Sequence, residues 1–261
     1  MTTADGWTRA VRERLGLGRL LPLGGPLDGA WIAERAAREV LLAAAREVAG
    51  VRPGDLRVGL ADPDDAPEPV VTPPPGALPP GPLRVTAEFA AAVGPTAAAA
   101  EPLPETAARL RAALADAANA RLGLAAVDVD LRVTGLLDLD TATGPASDRG
   151  PGAGAEPGAG AEPEPGDADA PAAGDGDEGR VAGAALAVPG VARLTGVLGR
   201  PVHMTDPSSD ERAALPRRHV RVELAVDADH RADEVALRVR AAVSEALADH
   251  PSVAVVVTAV G

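Results

Sequence analysis

The sequence predicts an α+β chain: two small tandem modules, each in helix–strand–strand–helix–strand order, joined by a disordered acidic linker. Three observations predict it. The last eighty or so residues reduce to one compact unit: an Ala/Gly-rich helix ending near Val188-Pro189-Gly190-Val191, an alternating strand at Val220, Val222, Leu224 and Val226, an amphipathic helix from Asp233 to about Asp249, and an apolar strand over Val253–Val260. A weaker copy of the same order lies between residues 28 and 137. Between them, residues 141–179 are Gly, Ala, Pro and acids, with Gly-Ala-Gly-Ala-Glu-Pro at 152–157 and again at 158–163.

That middle stretch holds nine carboxylates against Arg149 alone and has no large apolar side chain to offset the entropy of ordering it. As a flexible chain it would span on the order of 35 Å. The expected division is therefore an N-terminal segment 1–27, a first module 28–140 carrying a Pro-rich loop at 62–82, the linker 141–179 and a second module 180–261.

In the first module, Trp31 to Ala49 reads as a helix of strong formers stopped by Gly50. Leu56, Val58 and Leu60 alternate as a strand, and so do Leu83, Val85, Ala87 and Phe89. Pro104 stands in a helical first turn, where its missing N–H goes unused. Ala107, Leu110, Leu114, Ala117 and Ala118 then fall on one helical face. Val127, Val129, Leu131 and Val133 alternate with Asp128, Asp130 and Arg132, so one face of that strand is wet. In the second module Val202 and Met204 mark a short strand before a loop at 206–216. The last strand is apolar on both faces, which predicts a central position or a buried contact with the other half.

Composition narrows the function. All 25 basic residues are Arg, and the formal net charge of −13 resides mostly in the linker and in Asp62, Asp64, Asp65 and Glu68. The acidity disfavours nucleic acid, whose phosphates need a basic surface, and Arg217-Arg218-His219 is too short a cluster to supply one. With no cysteine, disulfides and thiolate metal sites are excluded. No basic-then-apolar leader and no run of about 18 apolar residues is present, so the chain reads as cytoplasmic.

Few residues invite chemistry. Asp227, Asp229, His230 and Asp233 form a conceivable metal or acid–base cluster in the turn Asp227–Asp233. No His-x-x-x-His or Glu-x-x-His spacing accompanies them, and acids before a helix are also what its N-terminus favours. Ser208, Ser209, Ser244 and Ser252 lack a Gly-x-Ser-x-Gly elbow. Gly16-Leu17-Gly18 and Gly152-Ala153-Gly154 lack the strand–turn–helix setting of a phosphate loop. We expect no catalytic, cofactor or metal residue. Trp7, Val11 and Leu15, among Arg9, Arg12, Arg14 and Arg19 and followed by Leu20, Leu21 and Leu23, make residues 7–23 a basic amphipathic segment able to lie on an anionic membrane or to dock on its own domain.

On these residues the chain resembles the alkaline-shock, or general-stress, envelope protein family of bacteria. The resemblance rests on Val188-Pro-Gly-Val191, Leu194-Thr-Gly196, Val220–Val226, Val235-Ala-Leu-Arg-Val-Arg240 and Val253–Val260. It is weaker over 28–137, where Leu110-Arg111 stands near the place of the Val-Arg signature and the Pro-rich insertion is atypical. Similar chains from GC-rich bacteria carry a nucleopolyhedrovirus-type family name, but no sustained heptads support a fibrous reading. The resemblance implies a non-catalytic scaffold in stress or envelope physiology. Such a scaffold would self-associate or bind a protein partner, including one anchored at the inner face of the membrane.

Overall fold

The computed structural model describes residues 16–93, 102–138, 176–206 and 218–261. Among them it is a mixed α+β protein with nine strands in two sheets and four α-helices. The strands are β1 (Leu20–Leu23), β2 (Ala30–Ala33), β3 (Val51–Leu60), β4 (Leu83–Val93), β5 (Ala126–Asp138), β6 (Val191–Leu194), β7 (Val202–Thr205), β8 (His219–Val226) and β9 (Ser252–Val260). The helices are α1 (Glu34–Arg46), α2 (Leu103–Asp116), α3 (Asp177–Leu186) and α4 (Ala232–Ala246), with a π-helical turn, Ala117–Leu122, continuing α2.

The smaller sheet runs β3-β4-β5, its first pair antiparallel and its second parallel across the α2 crossover. The larger runs β1-β2-β9-β8, with β6 and β7 end to end along the outer side of β8. There too β8 is antiparallel to β6 and β7 and parallel to β9 across the α4 crossover. Both crossovers obey the need of parallel neighbours for a long connection.

The turn entering each sheet is built the same way. Val51 N–H donates to Val48 O, and Val191 N–H to Val188 O, both at 3.2 Å. Gly50 and Gly190 sit at φ +78° and +95°, the left-handed region that glycine enters without steric cost. Their carbonyls accept from Ala92 N–H and Asp227 N–H respectively, each just beyond the neighbouring long strand or at its end. At Gly190 a side chain would meet the His230 ring at 2.7 Å, so the turn also closes against the loop before α4.

Three strands escaped the sequence reading: β1, β2 and the four-residue β6. Trp31 opens no helix: Ala30–Ala33 is β2, paired antiparallel to β1 and parallel to β9, with Trp31 opposite Val256. The helix starts at Glu34 and ends at Arg46, short of the expected Ala49. Bulky Trp31 and Ile32 are held as strand by the Val255–Val257 surface, a tertiary contact that overrides their local helical setting. Likewise α3 begins at Asp177, so the last residues assigned to the linker are helical; the remainder, 141–175, lies outside the described residues.

β9 is central, as its two apolar faces predict: it lies between β2 and β8, with Val253 to Val257 buried. One apolar core runs from Leu17 to Val257 and joins both sheets. Helix α1 packs on β3 of the small sheet and on β9 of the large one. The Pro-rich stretch carries no helix or long strand, yet it is packed. Val71 is buried, Leu78 N–H donates to Leu20 O, and Leu78 O accepts from the Trp31 indole N–H at 3.2 Å.

Candidate functional site

The turn Asp227–Asp233 is occupied with its own structure. Asp233 receives Arg231 on both carboxylate oxygens, at 3.0 and 2.9 Å, and accepts the Glu234 N–H at 2.8 Å. The His230 ring packs over Gly190. No three His, Asp or Glu residues among those described are grouped to hold a metal ion. The turn therefore starts α4 and does not assemble the four residues around a common point.

The histidines are scattered. His203 is exposed on β7; His219, half-buried on β8, has Nδ1 3.3 Å from Ser252 Oγ; His250, at φ +44°, has Nδ1 3.1 Å from Ser244 O. Burial first, then Arg221 and His203, push the His219 pKa down. Arg218, the basic residue of the 217–219 cluster that is described, is bound to Asp249 at 2.9 and 2.8 Å and to Asp177 at 2.5 Å. Those bonds hold its pKa above the ordinary arginine value. Such a guanidinium is already neutralised, which removes it from any phosphate-binding surface.

Residues 7–23 divide. Trp7, Val11 and Leu15 lie outside the described residues. Leu20, Leu21 and Leu23, expected on an amphipathic segment, are at most 1% exposed in β1, so in the folded chain they face no membrane. Among the described residues no helix is long and apolar enough to cross one.

Sequence reasoning missed Glu223. In an alternating strand it reads as a wet position, but it is fully buried where β6 and β7 part. Its N–H donates to Pro201 O, its carbonyl accepts from Thr195 N–H, and its Oε2 accepts from Leu198 N–H at 2.8 Å. Arg221 stands 3.1 Å from Oε1. Burial outweighs these partners and pushes the Glu223 pKa up. Glu223 thus ties down the loop 195–201 through its main chain and Oε2, while Oε1 is buried with no hydrogen-bond partner and faces Arg221 as an ion pair. The nearby Thr195 and Thr258 hydroxyls, 2.8 Å apart, close the same end of the sheet at the bulge of β9.

The strand edges differ more than any side-chain cluster does. β1 is shielded by the Pro-rich loop, through Leu78 N–H to Leu20 O and the bridge between Leu20 and Ala77. β3 carries Pro53 and a bulge between Pro53 and Leu56, both of which spoil an edge for further pairing. β6 and β7 have four residues each and are parted by the Thr195–Pro201 loop. β5 has 13 residues, and among the described residues nothing pairs with its outer edge. Asn119 binds both main-chain groups of Ala126 at its start, and Arg111 Nε donates to Val129 O at 3.2 Å. Val133 and Leu136 on this strand are 39% and 64% exposed. A shallow groove between α1 and α2, lined by Ala44, Val48, Arg109, Ala113 and Ala117, lies nearby and is open to solvent.

No family model matches the chain, and no curated protein or solved structure matches it significantly.

Proposed function

We propose that the chain is a non-catalytic interaction scaffold built from two modules of the alkaline-shock type, acting in envelope or general stress physiology. The observation that carries this reading is the contrast between equivalent strands. β5 and β9 each follow a crossover helix and pair in parallel with the strand before it, which is itself antiparallel to an earlier strand. β9 has its outer edge filled by β2, whereas the outer edge of β5 pairs with no described strand. The chain thus already joins distant segments by strand addition, and β5 offers the same chemistry to another protein.

Two further features support it. The matched turns at Val48–Val51 and Val188–Val191, with the same hydrogen bonds at a 140-residue offset, favour descent of both halves from one module. Two of the polar groups that sequence alone would offer to chemistry are engaged in structural bonds: Asp233 with Arg231, and Arg218 with two carboxylates.

The test is affinity purification of the full chain from separated membrane and soluble fractions, beside the variant Arg132→Asp. A protein recovered with the wild-type chain and lost with the variant supports a scaffold working through β5. No specific protein in either fraction, and no self-association, would overturn it.

A further inference from the structure

We infer that the β5 edge is a self-recognition surface: two copies of this chain join their small sheets by antiparallel pairing of residues 129–133, with Leu131 of each copy opposite Leu131 of the other. The inference rests on the scaffold reading and names its first partner.

The main chain sets which registers are possible. β5 is bulged against β4 twice, between Leu83 and Arg84 and again between Phe89 and Ala90, leaving residues 128–133 as the regular stretch between, of which 129–133 form the pairing segment. Val129 O meets Arg111 from α2, so that carbonyl points away from β4. Groups alternate along a strand, and the outward main-chain positions are accordingly 129, 131 and 133. Only registers that set these positions opposite one another form a ladder.

Side chains then choose among them. With Leu131 opposite Leu131, Asp130 falls opposite Arg132 of the second copy and Arg132 opposite its Asp130. Val129 falls opposite Val133 at both ends. A shift of two residues one way sets Asp130 against Asp130; a shift the other way sets Arg132 against Arg132. Opposite charges across a strand pair attract and like charges repel, so one register is selected. The stretch Val-Asp-Leu-Arg-Val is therefore complementary to its own reverse.

The surroundings fit that use. Asp130 and Arg132 are exposed at 63% and 77%, held only at 3.5 Å from Arg84 and 3.7 Å from Glu88, and such solvent-exposed pairs reorganise at little cost. Val133 would gain cover that this structure leaves off. Arg111 partly guards the edge, and its exposed side chain can swing away when Val133 N–H of the second copy takes the Val129 carbonyl.

The experiment is sedimentation equilibrium of the full chain with Asp130→Arg, Arg132→Asp and the double swap, circular dichroism confirming that each is folded. Self-pairing predicts a concentration-dependent dimer, weakened roughly tenfold or more by either single change, because both symmetric charge pairs become repulsive at once. The double swap restores it. A chain that is monomeric at every concentration, a dimer indifferent to the single changes, or a double swap that fails to rescue, each overturns self-pairing. A monomer that still captures another protein in an Arg132-dependent way leaves the scaffold reading standing.

Discussion

Replacing Trp31 with alanine tests whether β2 truly locks the two halves of the chain together. The side chain is 1% exposed, sits opposite Val256 in the parallel β2–β9 pair and donates its indole N–H to Leu78 O at 3.2 Å. A buried tryptophan removes about 200 Å² from water, worth roughly 5 kcal/mol at 25 cal/mol per Å². That figure is an upper bound, because the unfolded chain already hides part of its surface. Large-to-small core changes of this kind cost about 3–5 kcal/mol when measured, and the deleted hydrogen bond lies within that range. About 4 kcal/mol is a large share of the 5–15 kcal/mol that typically separates folded from unfolded domains. Urea denaturation followed by far-ultraviolet circular dichroism reads the loss without relying on tryptophan emission. The midpoint should fall sharply, with both sheets melting together because one core joins them. A loss below about 1 kcal/mol would refute the docking of β2 on β9. So would a second, unshifted transition carrying half of the signal, because it would show that the halves fold apart.

Glu223 makes stability fall as pH rises. Burial holds its folded pKa above the ordinary carboxylate value, so between those two values the unfolded chain ionises more readily. Denaturation midpoints across that window should decline for the wild type and lose that decline in Glu223→Gln. Glu34 works in the opposite sense: burial opposes its ionisation, but bonding and charge from Arg19 prevail and lower its pKa. Its stabilisation is present above the ordinary value and disappears as pH falls through the depressed one, so Glu34→Gln should flatten only the acid limb. Gly29→Ala should destabilise by at least about 1–2 kcal/mol from the left-handed backbone alone. The added Cβ would also meet Val71 at 2.7 Å and Val253 O at 3.0 Å, and thermal melts would register the sum. Arg111→Ala, which bares the Val129 carbonyl, should tighten self-association about threefold in sedimentation, the equivalent of one modest hydrogen bond.

The elements that sequence made legible are those with a strong local period. Val220–Val226, Val253–Val260 and Val127–Val133 announce strands because each carries alternating or successive apolar β-branched and aliphatic residues within one short window. The helix from Asp233 is equally plain, though it stops at Ala246 because the chain turns through Leu247 toward β9. β1 and β2 were hidden for a physical reason. Leu20-Leu-Pro-Leu23 is short and contains proline, which a strand at the sheet edge tolerates, and the partner that makes Ala30–Ala33 a strand is β9, far along the chain. Glu223 was hidden by its neighbours: alternation marks it as wet, and only the loop Thr195–Pro201 folding over it makes it dry. The candidate edge was half legible. The Asp-Leu-Arg alternation can be read directly, but that no described strand pairs with this edge is seen only in the sheet order.

The pairing of Ala30 with Val255 also has a temporal meaning. A ribosome releases β1 and β2 more than 200 residues ahead of β9, so the Leu-rich hairpin must wait through that interval without the strand that completes it. Contacts between such distant positions slow folding, because a long loop has to close before any of them is rewarded. The final sheet can zip up only after β9 emerges, which makes the synthesis of residues 252–257 the commitment step for both halves. Until then the nascent chain carries an unsatisfied apolar edge, the kind of surface that chaperones hold and that aggregation exploits.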